Sequence, residues 1–407
     1  MNDDVNEVEN KEQQSVVMVF LVFLRLGLTS FGGPVAHLGY FHNEFVERRK
    51  WLNERAYADL VALCQFLPGP ASSQVGIGVG LSQAGLPGAL AAWIGFTAPS
   101  AIALILFAYW VKEFGDIASG VLHGLKIVAV AVVAQAVWAM AKNLCPDAKR
   151  ATLAVLATIT VLAVPSPFVQ IAVIVMGGLV GWRLLRADEL ADHVDLGIRV
   201  NRYVAIAFIV LFFACLIGLP LLVSIFPSHT LAVVDSFYRS GSLVFGGGHV
   251  VMPLLQSEVV TTGWVSKDVF LAGYGAAQAV PGPLFTFAAY LGTVMHSPPN
   301  GVAGGFICLL AIFISSFFLV IGVMPFWDAL RRMDAVRNAL LGVNATVVGL
   351  LLAALYDPVW TSAIFTAADF GLALAAFTLL VFWKVAPWLV VLLTAFGGWI
   401  LNVGLVL

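Results

Sequence analysis

The stretch RLGLTSFGGPVAHLGYFHNEF fills residues 25–45, and RSGSLVFGGGHVVMPLLQSEV fills residues 239–259. In both, an arginine (Arg25, Arg239) stands six residues ahead of a Phe-Gly-Gly, inside runs that are otherwise apolar. The rest of the chain decides what that means. Hydrophobic residues make up 60% of it and charged residues 11%, with a mean hydropathy of +0.95. A soluble fold needs far more charge to cover its surface, and several runs reach the ~20 apolar residues that a spanning helix requires. The sequence specifies an all-α polytopic membrane protein, with the lipid bilayer as its first partner. A formal net charge of −2 gives no basis for a nucleic-acid partner. Residues 1–14, MNDDVNEVENKEQQ, lack a basic region and a cleavage site, and so read as a disordered acidic tail with no signal peptide. Cys64, Cys145, Cys215 and Cys308 fall in apolar segments without CxxC spacing. They read as small core residues, with neither disulfides nor a metal centre.

The second stretch repeats more than the arginine and the glycines. QFLPGP at 65–70 returns as QAVPGP at 278–283, Glu44 is matched by Glu258, and Trp51 by Trp264. Each tryptophan precedes the first proline of its Pro-Gly-Pro by 17 residues. Shared residues at shared spacings, in one order, indicate an internal duplication. A fainter echo aligns HGLKIVAVAVV, from His123, with LLGVNATVVGL, from Leu340, and pairs Lys126 with Asn344. The expected organisation is a tail over 1–14, a first repeat over 15–186 and a cytoplasmic linker over 187–202. A linking span over 203–229 and a second repeat over 230–407 follow.

Loop charges set the topology. Basic residues cluster at Arg48, Arg49, Lys50 and Arg55; at Lys142, Lys149 and Arg150; at Arg183, Arg186, Arg199 and Arg202; and at Arg331, Arg332 and Arg337. The positive-inside rule assigns such clusters to the cytoplasm. All four fit one side if residues 15–45 and 56–84 enter and turn back as re-entrant hairpins, broken at FGGP and PGP. Ordinary spans would strand the cluster at 48–55 outside. In either reading a single span at 203–226 leaves an odd number of crossings between the copies. The expectation is an inverted-topology repeat with a cytoplasmic amino terminus and a periplasmic carboxyl terminus. Inverted repeats with broken helices are a transporter architecture.

Gly32-Gly33 and Pro68-Gly69-Pro70, with Gly246-Gly247 and Pro281-Gly282-Pro283, cannot continue a regular helix. In lipid each unpaired peptide group costs several kcal/mol, so such breaks survive only around protein or a watery cavity. A helix starting after a break offers free N–H groups and a partial positive charge to an anion. Pro70 suits a first helical position, with the hydroxyls of Ser72 and Ser73 beside it; Leu284 and Phe285 make the second copy drier. Arg25 and Arg239 would add fixed charge in a planar fork that matches an oxyanion, and Lys126 a third charge. The collected preference is for a small tetrahedral oxyanion. Glu44 and Glu258 are candidates to carry a coupling proton. Plainer readings stand beside these: each arginine could pair with Glu44 or Glu258, the glycines could serve close helix packing, and Lys126 could be interfacial. His37, His42 and His249 lack metal-ligand spacing.

At these motifs the chain resembles the chromate ion transporter family, in its long form with two homologous halves. The resemblance rests on FGGPVAHL, WLNE and QFLPGP, then FGGGHVV, PLL, WVSK and QAVPGPLF, and covers residues 15–406. It implies efflux of chromate, recognised as a sulfate-like oxyanion, through the bacterial inner membrane, with no cofactor and no enzymatic step. Matched motif by motif, it points to Arg25, Gly32, Gly33, Glu44, Pro68, Gly69 and Pro70. Their second-half counterparts are Arg239, Gly246, Gly247, Glu258, Pro281, Gly282 and Pro283. No Walker loop is present, so the driving force would be the membrane potential or protons. A sulfate or other oxyanion transporter and an anion channel of the same architecture are the alternatives. An intramembrane phosphatase lacks a His–Asp or Ser–His arrangement, and a scaffold gives no reason for paired intramembrane arginines. The flat apolar stretch at 360–382 could also seat a second copy in a homodimer.

Overall fold

The computed structural model describes residues 14–114, 119–164, 166–187, 200–245 and 248–404. Most of the expected tail, most of the linker and both Gly246 and Gly247 lie outside the described residues. Helix α1 (Val16–Thr29) starts on Ser15, whose hydroxyl accepts from Met18 N. It stops at Ser30, because Gly32 and Gly33 turn the chain with φ of +101° and +79°, values that side chains disfavour. Helix α2 (Gly33–His42) restarts with a proline in its first turn and runs into a π-turn over Asn43–Arg48. Phe23 on α1 meets Phe41 and Phe45 at centroid distances of 5.7 and 5.1 Å. The chain therefore folds back on itself at FGGP.

Helix α3 (Glu54–Phe66), capped by Asn53, leads to Pro-Gly-Pro and then to α4 (Ala71–Phe114), which bends at Ala84 and Gly85. Gln14 N donates to Gln83 O at 3.1 Å, and Gln83 Nε2 approaches Trp51 O. The bend thus returns to the level at which α1 and α3 begin, and a second hairpin is complete. Pro70 differs from expectation: its carbonyl accepts from Gln74 N, so it caps α4 and Ala71 is the first helical residue. The second repeat is built alike, from α9 (His229–Ser242), α10 (Val251–Val259), α11 (Lys267–Ala277) and α12 (Phe287–Val294). Glu258 of α10 reaches Ser236 and Arg239 of α9, and the Tyr290 hydroxyl of α12 donates to Val269 O of α11 at 2.9 Å. The far end of α4 meets the end of α12 through Lys112 Nζ, 2.7 Å from Thr293 O.

The remaining helices enclose these hairpins: α5 (Ser119–Leu144), α6 (Ala148–Ala163), α7 (Pro167–Leu184), α8 (Arg202–Ile225) and α13 (Gly301–Val323) come first. The short α14 (Trp327–Arg331), α15 (Asp334–Ala354), the short α16 (Thr361–Ala363), α17 (Ala367–Val381) and α18 (Pro387–Gly404) follow. The run expected over 360–382 becomes helical for good only at Ala367, where Thr366 and Asp369 form a capping box; that reciprocal pairing fixes a helix start. Among the described residues five helices are long and apolar enough to cross a membrane: Ala71–Phe114, Ser119–Leu144, Arg202–Ile225, Gly301–Arg331 and Asp334–Trp360. This is an all-helical, multi-pass membrane protein. Lipid removes the usual hydrophobic drive for helix association, so backbones approach through small residues. Gly177 and Gly181 of α7 lie against Gly342 of α15 in this way.

Candidate functional site at the helix breaks

The breaks of the two repeats meet and bond to each other. Gly69 N donates to Val244 O at 2.7 Å, and Gly282 N donates to Ser30 O at 2.9 Å. Ser30 and Val244 are counterparts in the repeat, as are Gly69 and Gly282, so the two bonds are reciprocal. Each uses a peptide group freed by a break, which is how a broken helix is tolerated away from water. His37, fully buried, ties the first copy together. Its Nε2 lies 3.2 Å from Ser30 O and its Nδ1 3.3 Å from Ser72 Oγ. The carbonyl can only accept, so Nε2 carries the hydrogen and the Ser72 hydroxyl donates to Nδ1.

A cavity of about 50 Å³ opens at this crossing, lined by Gly32, Gly33, Gln135, His249, Gln278 and Gly282 among others. That is room for about three or four waters, or for one small ion. Around the crossing Ser30 Oγ, Ser73 Oγ, Ser316 Oγ and Gln278 Nε2 are buried with no hydrogen-bond partner. Such groups cost free energy unless water or a ligand satisfies them. His249 Nδ1 is held 2.8 Å from the Tyr274 hydroxyl. Among the described residues no Lys, Arg, Asp or Glu side chain lines the cavity. The polar groups that face the space are backbone at two breaks, amides and an imidazole, with Val132, Val280, Leu284 and Pro387 also in the wall.

The residues singled out in the sequence are divided between this crossing and its periphery. Gly32, Gly33 and Gly282 line the cavity; Gly69 makes a crossing bond, and Pro68 O accepts from Gln74 Nε2 at 2.7 Å. Pro281 precedes Gly282 in the second break, and Pro283 O receives Thr286. The arginines are engaged elsewhere. Arg25 Nη1 lies 3.9 Å from Glu44, which also binds Arg48 and Arg49 at 3.0 and 2.7 Å. Arg239 Nη2 lies 2.9 Å from Asp235 and 3.1 Å from Glu258. Lys126 pairs with Asp268 at 2.9 Å, at the start of α11. Asn344 sits half-buried on α15.

The profile of the chromate transporter family matches residues 17–182 and 231–399. The chain belongs to the chromate transporter family. It is 27% identical over 358 residues to an uncharacterized transporter of Methanocaldococcus jannaschii, covering 86% of this chain and 85% of that one. It is 26% identical over 348 residues to the chromate transport protein of Pseudomonas aeruginosa, covering 84% and 81%. With the chromate transport protein of Cupriavidus metallidurans the identity is 25% over 338 residues, covering 82% and 80%. No solved structure matches.

Three residues of this chromate transporter family member are not singled out by the sequence alone. Gln278 opens the QAVPGP motif, where an amide beside a break is the signal for a donor. Asp235 lies four residues before Arg239 on α9, a spacing that places both on one helix face. Gln135, inside the featureless apolar run of α5, gave no signal beyond being polar at membrane depth.

Proposed function

We propose that this protein carries chromate, or a closely similar tetrahedral oxyanion, across the bacterial inner membrane as a secondary transporter. The observation that carries the reading is the reciprocal bonding of Gly69 to Val244 and of Gly282 to Ser30 beside a small polar cavity. Two breaks that close on each other give two symmetry-related gates, and an inverted repeat supplies the alternation between them. The substrate class is supported by the names of the Pseudomonas and Cupriavidus relatives and by unpaired donors at the crossing. We take the amino terminus and the four basic clusters as cytoplasmic and the carboxyl terminus as periplasmic. Outward movement of a dianion down an inside-negative potential releases roughly 4.6 kcal/mol per 100 mV, so efflux is the favoured direction. In this reading Gly32, Gly33, Gln278 and Gly282 contact the oxyanion, while Arg25 and Arg239 set the local field from their glutamate pairs.

The test is isotopic chromate and sulfate flux in proteoliposomes at imposed voltage. Wild-type flux is expected to saturate, to show counterflow and to follow voltage. Gln278→Leu, which keeps the volume and removes the orphan donor, is expected to lower chromate flux about tenfold, one lost hydrogen bond to a charged group being worth ~1.5–3 kcal/mol. Arg25→Gln and Arg239→Gln are expected to alter flux less. Flux that never saturates would replace the transporter with a channel; normal flux in Gln278→Leu would move the site away from the breaks.

A further inference from the structure

The two repeats share an Arg–Glu pair but carry opposite surpluses of charge. In the first, one carboxylate, Glu44, is surrounded by three guanidinium groups, those of Arg25, Arg48 and Arg49. In the second, one guanidinium, Arg239, serves two carboxylates through Nη2, Asp235 at 2.9 Å and Glu258 at 3.1 Å. The difference is written in the duplication: Arg48 and Arg49 are replaced by Thr262 and Gly263, and Leu21 by Asp235. Both acids are buried, 6% and 8% exposed. Ser236 Oγ donates to Glu258 Oε2 at 2.8 Å, but Asp235 Oδ1 and Arg239 Nε have no partner. Helix α7 presents the uncharged Gln170 and Ile171 to this cluster, with Gln170 Oε1 3.4 Å from Ser257 Oγ. Among the described residues, Arg239 is the one ion-pair partner of both acids, and the two carboxylates, held on the same Nη2, act on each other. A crevice of about 10 Å³ beside Arg239, Ser240, Ser257 and Glu258 is of the size that holds a single water.

One cation and two carboxylates leave this buried cluster one proton short of neutrality. A buried charge without a partner costs several kcal/mol, and two acids that share a site do not both ionise. We propose that Asp235 and Glu258 jointly hold one proton, bound to the pair and not to either residue alone, and that the first repeat has no such site. We further assign this as the proton exchanged during oxyanion transport, a second step that rests on the transport reading above.

Infrared difference spectra between neutral and alkaline pH, taken in liposomes without substrate, test the site itself. The wild-type protein is expected to show a protonated-carboxyl band at neutral pH. The band should disappear in both Asp235→Asn and Glu258→Gln, because each leaves a single acid neutralised by Arg239. It should shift in Asp235→Glu and remain in Glu44→Gln. A wild-type spectrum without the band at neutral pH overturns the proposal, whether or not the variants fold. So does a band that survives both Asp235→Asn and Glu258→Gln. A trapped pH dye during chromate flux tests the second step: proton movement with the oxyanion should fall to zero in Asp235→Asn. A band without proton movement in the wild type retains the site and refutes the coupling. A band with no oxyanion flux at all refutes the transport reading alone.

Discussion

Gly282→Ala is expected to reduce oxyanion flux by about tenfold to a hundredfold, the equivalent of ~1–3 kcal/mol of backbone strain. Gly282 has φ of +96°, a conformation that a side chain disfavours. A Cβ there would also meet Ser100 Oγ at 2.9 Å and Phe96 O at 3.1 Å. The backbone would have to move, and the N–H that binds Ser30 O moves with it. The counterpart, Gly69→Ala, is expected to act the same way: φ is +124° and the new Cβ would approach Gln74 Nε2 and, at 3.1 Å, Ser316 Oγ. Gly263→Ala separates strain from function. Its φ is +74°, yet nothing lies within 4 Å of the added Cβ, so it should lower thermal stability and leave flux per folded molecule unchanged. The measurement is chromate flux normalised to monodisperse protein. Wild-type flux in both Gly282→Ala and Gly69→Ala would remove the crossing from the transport cycle.

Asp59→Ala is expected to destabilise the protein strongly. Asp59, on α3 of the first repeat, receives Arg331 Nη1 at 3.3 Å and Trp327 Nε1 at 3.2 Å, both from α14 at the end of the second repeat's long helix. The two charged side chains are about 10% and 9% exposed. Removing one partner of a buried ion pair typically costs ~3–5 kcal/mol. The value here should fall toward the lower end, because Arg331 keeps a second contact, 3.1 Å from the exposed Asp328. Thermal unfolding in detergent should show a clearly lower midpoint for Asp59→Ala. The double variant Asp59→Leu/Arg331→Met should recover most of the loss, since replacing both charges by apolar groups leaves nothing uncompensated. An unchanged midpoint for Asp59→Ala would mean that the pair is hydrated and contributes nothing.

Much of this architecture was legible because lipid is a strict solvent. Peptide groups must be paired within it, so Gly32-Gly33 and Pro68-Gly69-Pro70 could be read as breaks, and the basic cluster at 48–55 favoured stretches that turn back over full spans. Spans such as α5, α8 and α13 followed from length and apolarity alone. The site was less legible. That Arg25 and Arg239 would pair with Glu44 and Glu258 was one of two readings, and nothing in a one-dimensional string says which neighbour a long side chain chooses. The crossing bonds could not be foreseen, since they depend on how two distant segments pack. Gln135 and Gln278 went unremarked because a neutral amide becomes informative only when its surroundings are seen to lack a partner for it.

Helix α8 packs along one flank, against α9 and α13, and only 6% of its apolar window is buried. It behaves as a strap and not as a wall. Cohesion between the halves comes instead from contacts such as Gly69 with Val244 and Asp59 with Arg331. Severing the strap would therefore sacrifice little adhesion, and two separately translated fragments could still find one another within the bilayer. On that view the covalent join serves biogenesis: it delivers both fragments together in equal number, a service that the finished machine no longer needs.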